Sequence, residues 1–310
     1  MLDATTAPRR EAARPVTAAG GRRSLMRTLA PWWYLTPALV LLVTFTYIPV
    51  ASMLGYSFTD WDGLDPNPDF VGADNYVQLF TRPELFHVFF VSIYYLLAAF
   101  VQLAAALYFA FVLSFKTRFR NFFKGVLFFP YLINGVAISF VFLFFFRPGG
   151  TLDSLLAIVG THPGKLWLGD PDLVNVSLSS VSVWRYTGLS FVLFLGAIQS
   201  IPADLYEAAG LDGASRWQIL RHIIVPGIKP ILSLSIILAV SGSLAVFEIP
   251  FVMTGGAGES NTFVIQTIKL GFTFNKTGLA AAAAVVLLAI VLVITWIQRR
   301  LVPDERTDLT

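Results

Sequence analysis

The residues of this chain that could do chemistry are few and scattered. His87, His162 and His222 have no metal-ligand spacing, and no Ser–His–acid arrangement surrounds them. There is no Cys, which excludes disulfides and thiol or thiolate–metal chemistry. Residues 160–166, GTHPGKL, come nearest to a phosphate loop. Three residues rather than four separate the glycines, and Leu166 stands where a Ser or Thr would hold magnesium. No catalytic site is expected. What remains is one polar stretch, residues 207–226, and two charges inside otherwise apolar runs, Arg185 and Glu248.

The polar stretch reads EAAGLDGASRWQILRHIIVP and lies between two apolar runs. Pro202 suits a first helical turn, with Asp204 and Glu207 near its positive end. Ala208 and Ala209 favour helix and have almost no side-chain bulk, so this face can lie close against another protein. Asp212-Gly213 is a break, because Gly accepts positive φ. A second helix is expected from Ser215 to His222, and Pro226 is expected to open the next element.

Composition places these residues in a membrane protein. Of 310 residues, 56% are hydrophobic and only 13% charged, against about a quarter charged in soluble domains. Mean hydropathy is +0.70. Charge-free runs long enough to cross a bilayer occur at residues 28–59, 85–115, 125–146, 173–203 (interrupted by Arg185), 230–247 with an extension towards 254, and 277–298. The expected fold is all-α and integral to the membrane, with six transmembrane helices. Residues 1–30 contain six Arg and little to bury, so they are expected to be a disordered basic tail. The run that follows is too long for the apolar core of a signal peptide.

Orientation follows from Lys and Arg. Sixteen lie on the side of the termini and five on the other. Both termini and residues 202–226 are therefore expected in the cytoplasm, with the first 30 and last 10 residues as cytoplasmic tails around a six-span domain, residues 31–300. The net charge of +3 is a matter of topology rather than a nucleic-acid signal.

The stretch 207–226 resembles the E-A-A signature of membrane subunits of binding-protein-dependent ABC importers. Glu207, Ala208, Ala209, Gly213, Ile223 and Pro226 match in type and spacing, and Val225 replaces the usual Leu. Residues 57–63 (SFTDWDG), 70–80 (FVGADNYVQLF) and the segment from Pro130 (PYLINGVAISFVFLFFF) are similar to sugar-type permeases of that family. So is the TGGAG at 254–258, although the usual proline is missing. The resemblance implies a type I importer permease in a bacterial inner membrane, with residues 202–226 as the loop through which an ATPase drives the channel. It implies an ATP-binding cassette ATPase dimer, a second homologous permease subunit and an extracellular solute-binding protein as partners. ATP and magnesium would then sit on the ATPase, with no cofactor in this chain.

Arg185 and Glu248 lie roughly 24 and 30 Å from the cytoplasmic ends of their runs, at similar depth. Intramembrane charges face a partner or a watery path, so a pair across the fourth and fifth spans is one expectation and snorkelling of Arg185 another. Tyr131, Asn134 and Trp184 are further candidates for a substrate path, as stacking and hydrogen-bonding groups; belt aromatics are the plainer reading. The expected cargo is a sugar or oligosaccharide, with a polyol or glycerol-phosphate as alternatives. A secondary transporter would want acidic or His groups in mid-span, and a purely structural membrane subunit is the third class.

Overall fold

The computed structural model describes residues 34–301 apart from 87, 116, 117, 162 and 163. The expected tail at 1–30 and all but Leu301 of the expected tail at 301–310, with His87, Lys116 and His162, lie outside the described residues. The chain divides into two units, Met1–Ser52 and Met53–Thr310. Among the described residues every regular element is helical, with one isolated bridge between Thr59 and Phe70.

The first unit contains most of α1, Tyr34–Tyr56, an apolar helix. Its hydrogen-bond ladder widens to a π-turn at Val43–Tyr47. The cause lies two residues on: Pro49 has no N–H to give, and the wider turn re-pairs the ladder before it.

In the second unit, residues 57–71 fold back on themselves before α2, Asp74–Thr81. Asn75 of α2 donates to the carbonyls of Ser57 (3.0 Å) and Thr59 (2.7 Å), and the Ser57 and Tyr76 hydroxyls share a 2.7 Å bond. Residues 60–84, which separate the first two apolar runs, thus begin with an internally hydrogen-bonded turn and a short helix.

Two long helices form the centre: α3, Val88–Ser114, and α7, Pro171–Gln199. They run parallel. Val91 and Tyr95 share one cluster with Val174, Leu178 and Val181, while Leu103 to Leu113 share another with Phe191 to Ile198. Buried Ala106 and Ala110 let the backbones approach.

The run at 125–146 does not form the straight third span expected. It splits into α4, Arg120–Leu132, and α5, Gly135–Phe146, bent by 98° at the junction. Pro130 removes a ladder donor near the end of α4, Ile133 and Asn134 are extended, and the Asn134 side chain then accepts from Val136 N–H at 2.9 Å. Among the described residues, five helices are long and apolar enough to cross a bilayer, and six if the bent pair counts as one span. The short α6, Thr151–Ile158, precedes α7.

The fifth run is also broken. It consists of α10, Lys229–Leu244, and α11, Glu248–Thr254. Between the fifth and sixth apolar runs lies a further helix, α12, Phe263–Thr273, started by Thr262, whose side chain accepts from Ile265 N–H. The final span is α13, Thr277–Leu301. Its start carries the 57–63 segment: Gly278 N–H donates to the Trp61 carbonyl at 2.8 Å, and a Cβ at 278 would collide with the Thr59 carbonyl.

Candidate functional site

The polar stretch folds as two short helices with a tight turn. The first is α8, Ala203–Leu211, with Pro202 as its N-cap residue and Asp204 in its first turn. Gly213 follows at φ 73°, in the left-handed region that Gly accepts at little cost. Ser215 then makes a capping box with Gln218: its backbone N–H donates to Gln218 Oε1 at 2.7 Å, and its hydroxyl accepts from Gln218 N–H. This starts α9, residues 216–227. Pro226 does not open a new element as expected. It sits inside α9, tolerated because a π-turn at Leu220–Ile224 re-pairs the ladder ahead of it, as before Pro49.

This loop has two faces. Tyr206, Ala209, Ile219, Ile224 and Ile228 pack into one cluster with Leu113 of α3, Ile198 of α7 and Ile231 of α10. Tyr206 donates to the Ile198 carbonyl at 3.4 Å, and partial burial raises its pKa above the usual phenol value. The other face is free. Glu207, Ala208 and Gly213 are exposed, and so are Leu205, Leu211 (90%) and Trp217 (67%). Of the signature residues, Ala209, Ile223 and Val225 are half-buried and Pro226 is exposed. The deepest anchor is Ile224, at the position the signature leaves unspecified. Its apolar type was readable, but not its rotation on the helix.

Above the loop lies a cavity of about 510 Å³ between α3, α7, α10 and the start of α11. One wall holds Gln102 of α3, which donates to Ser190 Oγ at 2.7 Å and to the Tyr186 carbonyl at 3.1 Å. A lone Gln in a charge-free run is the sequence signal of this polar wall, although no expectation was attached to Gln102 above. Tyr95, Ser182, Tyr186 and Ser243 also line the space, as does Glu248.

Glu248 begins α11, and Arg185 lies midway along α7. Arg185 Nη1 reaches Glu248 Oε2 at 2.6 Å. The Arg185 side chain is 12% exposed and that of Glu248 38%. Gly135, the first residue of α5, rests against both groups, and a Cβ there would collide with the carboxylate and the guanidinium. The pair thus sits where the two broken spans and α7 meet. The guanidinium also lies 5.2 Å from the Tyr186 ring centre. Of the other expected path residues, Tyr131 is 6.4 Å from the Tyr186 ring, and Trp184 packs edge-on to Phe142 at 5.3 Å. Asn134 caps α5. None of these three is among the residues lining the cavity. The TGGAG segment is a turn closing α11, with Gly255 at φ 64° and the Thr254 and Ser260 hydroxyls 2.7 Å apart.

The family model described as "binding-protein-dependent transport system inner membrane component" matches residues 102–307, more than half of the chain. The chain belongs to this family. Among relatives of this permease is the probable ABC transporter permease protein YurN of Bacillus subtilis, 34% identical, with 88% of this chain and 95% of the relative covered. Another is the multiple sugar-binding transport system permease protein MsmF of Streptococcus mutans, 30% identical over 90% and 97% of the two chains. Among solved structures, a bacterial ABC transporter involved in import of the acidic polysaccharide alginate has a chain with the same fold, at a TM-score of 0.80 and 21% identity, covering 92% and 99%. The protein is an inner-membrane permease subunit and not an enzyme. Its all-helical architecture is that of ABC importer permeases.

Proposed function

We propose that this permease forms half of the path by which a sugar or oligosaccharide crosses the membrane, and that residues 202–226 couple that path to an ATPase. One observation carries the reading. The cluster holding Ile219, Ile224 and Ile228 ties the loop to α3, α7 and α10, the helices that wall the cavity. Force applied to the loop's free face, with Glu207, Leu211 and Trp217, is thereby delivered to the cavity walls. Glu207 supplies charge, Ala208 and Ala209 allow close approach, and Gly213 holds the turn; Ile223, Val225 and Pro226 continue the surface into α9. The positive-inside bias orients this face, with both termini, towards the cytoplasm.

The partners are an ATP-binding cassette dimer carrying ATP and magnesium, a second permease subunit and an extracellular solute-binding protein. Transport is alternating access, in which ATP binding is useful because it favours one state of the walls over the other. The name of the Streptococcus relative supports a sugar cargo, and the cavity volume falls within the about 300–1,000 Å³ of small-molecule sites. The test is uptake of radiolabelled maltose and other neutral oligosaccharides into vesicles holding the full transporter and its binding protein. Uptake should require ATP and stop with vanadate. Uptake that follows an ion gradient and ignores vanadate would sink the reading.

A further inference from the structure

We infer that the end of the cavity farthest from the loop is a subsite for one neutral, hydroxyl-bearing sugar ring, in which Glu248 accepts from solute hydroxyls and turns anionic solutes away. The inference rests on the cavity being part of the solute path. Three observations carry it.

The first is charge. Among the described residues lining the cavity, Glu248 alone carries a formal charge. Its partner Arg185 is not in the lining and is the more buried of the two. The pair is neutral as a whole, but its negative end faces the space. Only Oε2 of the carboxylate is engaged by Arg185, which leaves Oε1 as an acceptor. A solute carboxylate here would meet like charge in a confined, partly desolvated site.

The second is unsatisfied polarity. Tyr95 is 3% exposed and its hydroxyl has no hydrogen-bond partner; the Ser182 hydroxyl has none either. Both residues line the cavity. Buried hydroxyls without partners are uncommon and call for an explanation. Tyr95 shares a packed cluster with Val181 and Ile249, the chain neighbours of Ser182 and Glu248, so these polar groups belong to one end of the cavity.

The third is contrast with the other end. There Gln102 already spends its amide protons on Ser190 and the Tyr186 backbone, so this polarity is internally matched. At the Glu248 end the Tyr95 and Ser182 hydroxyls are unmatched but closed off from solvent, and the partly exposed Glu248 carboxylate is the acceptor open to a ring hydroxyl.

Charge-selective labelling tests this without knowing the natural solute. The chain has no Cys, so Ala99→Cys, one helical turn from Tyr95 and in the lining, gives a single reporter. It is reacted, in the full transporter with cysteine-free partners, with cationic and anionic methanethiosulfonates of equal size, each rate normalised to free cysteine. The cation should be favoured about threefold to tenfold. Arg185→Gln should raise the ratio, Glu248→Gln, which leaves the Arg185 charge unbalanced, should turn it towards the anion, and the double change Arg185→Gln/Glu248→Gln, which removes both charges, should give about one. If Glu248→Gln fails to fold, Arg185→Gln and the double change carry the test. Maltose should slow labelling, and a digalacturonate should not. With Arg185 and Glu248 both in place, equal or anion-favouring rates, no labelling, or equal protection by both sugars would overturn the subsite. Loss of ATP-driven uptake with the charge preference intact would instead count against the transport reading.

Discussion

Arg185 and Glu248, 63 residues apart in the chain, meet at 2.6 Å between α7 and the break in the fifth span. Removing either side chain leaves the other as a partly buried charge without its counter-ion. That costs about 3–5 kcal/mol for fully buried pairs and should cost less here, because Glu248 is partly exposed. Arg185→Ala and Glu248→Ala should each lower the thermal stability of the detergent-purified protein, and the double change should cost less than the sum. Strict additivity would show that the contact contributes nothing.

Gly135 is the pair's third party. A methyl group there overlaps both charged ends. Gly135→Ala should therefore open the pair and cost about 1–3 kcal/mol by overpacking. Placed on an Arg185→Ala/Glu248→Ala background, the same change should cost much less. An unchanged melting temperature for Gly135→Ala alone would argue against this geometry.

At the loop, Gly213→Pro loses the positive φ of the turn, and Glu207→Lys reverses the charge on the exposed face. Both variants should insert normally, yet lose ATPase pull-down and about tenfold of transport, equivalent to ~1.4 kcal/mol of coupling. Transport at the unmodified level in both would remove the coupling role.

Topology can be read by cysteine labelling. Asp65→Cys and Glu259→Cys, both at exposed positions, should react with a membrane-impermeant maleimide added outside intact cells. Ser215→Cys should react only after the membrane is opened. The reverse pattern would invert the orientation and put the loop out of an ATPase's reach.

Asp153 anchors the segment before α7. It accepts from Trp167 Nε1 and from Gly149 N–H, each at 2.8 Å, and these bonds, the Trp167 one first, hold its pKa below the usual carboxylate value. A depressed folded-state pKa means the contribution is present above the unfolded value of about 3.9 and is lost as pH falls through the folded value. Trp167 fluorescence should stay constant from neutral pH down to mild acid, then shift in stronger acid. Asp153→Asn should abolish that acid shift, and a shift that persists in this variant would point to another group.

The sequence by itself determined the class, the number of apolar runs and the signature loop. Hydrophobic length and Lys/Arg placement are properties of the chain read along its length, and so is the spacing from Glu207 to Pro226. It also marked Arg185 and Glu248, since charges in apolar runs stand out whatever their partners. Only the tertiary structure decided that they touch, because adjacency of α7 and α11 and the rotation of each helix are not linear properties. The bend at Ile133–Asn134 was equally out of reach: the run stays apolar across it, and the local contest between Pro130 and the Asn134 cap is settled by packing of Gly135 against the ion pair. Pro226 misled for the opposite reason. Its missing N–H predicts an end to the helix, but the ladder had a π-turn available, and burial of Ile219 and Ile224 holds α9 together through it.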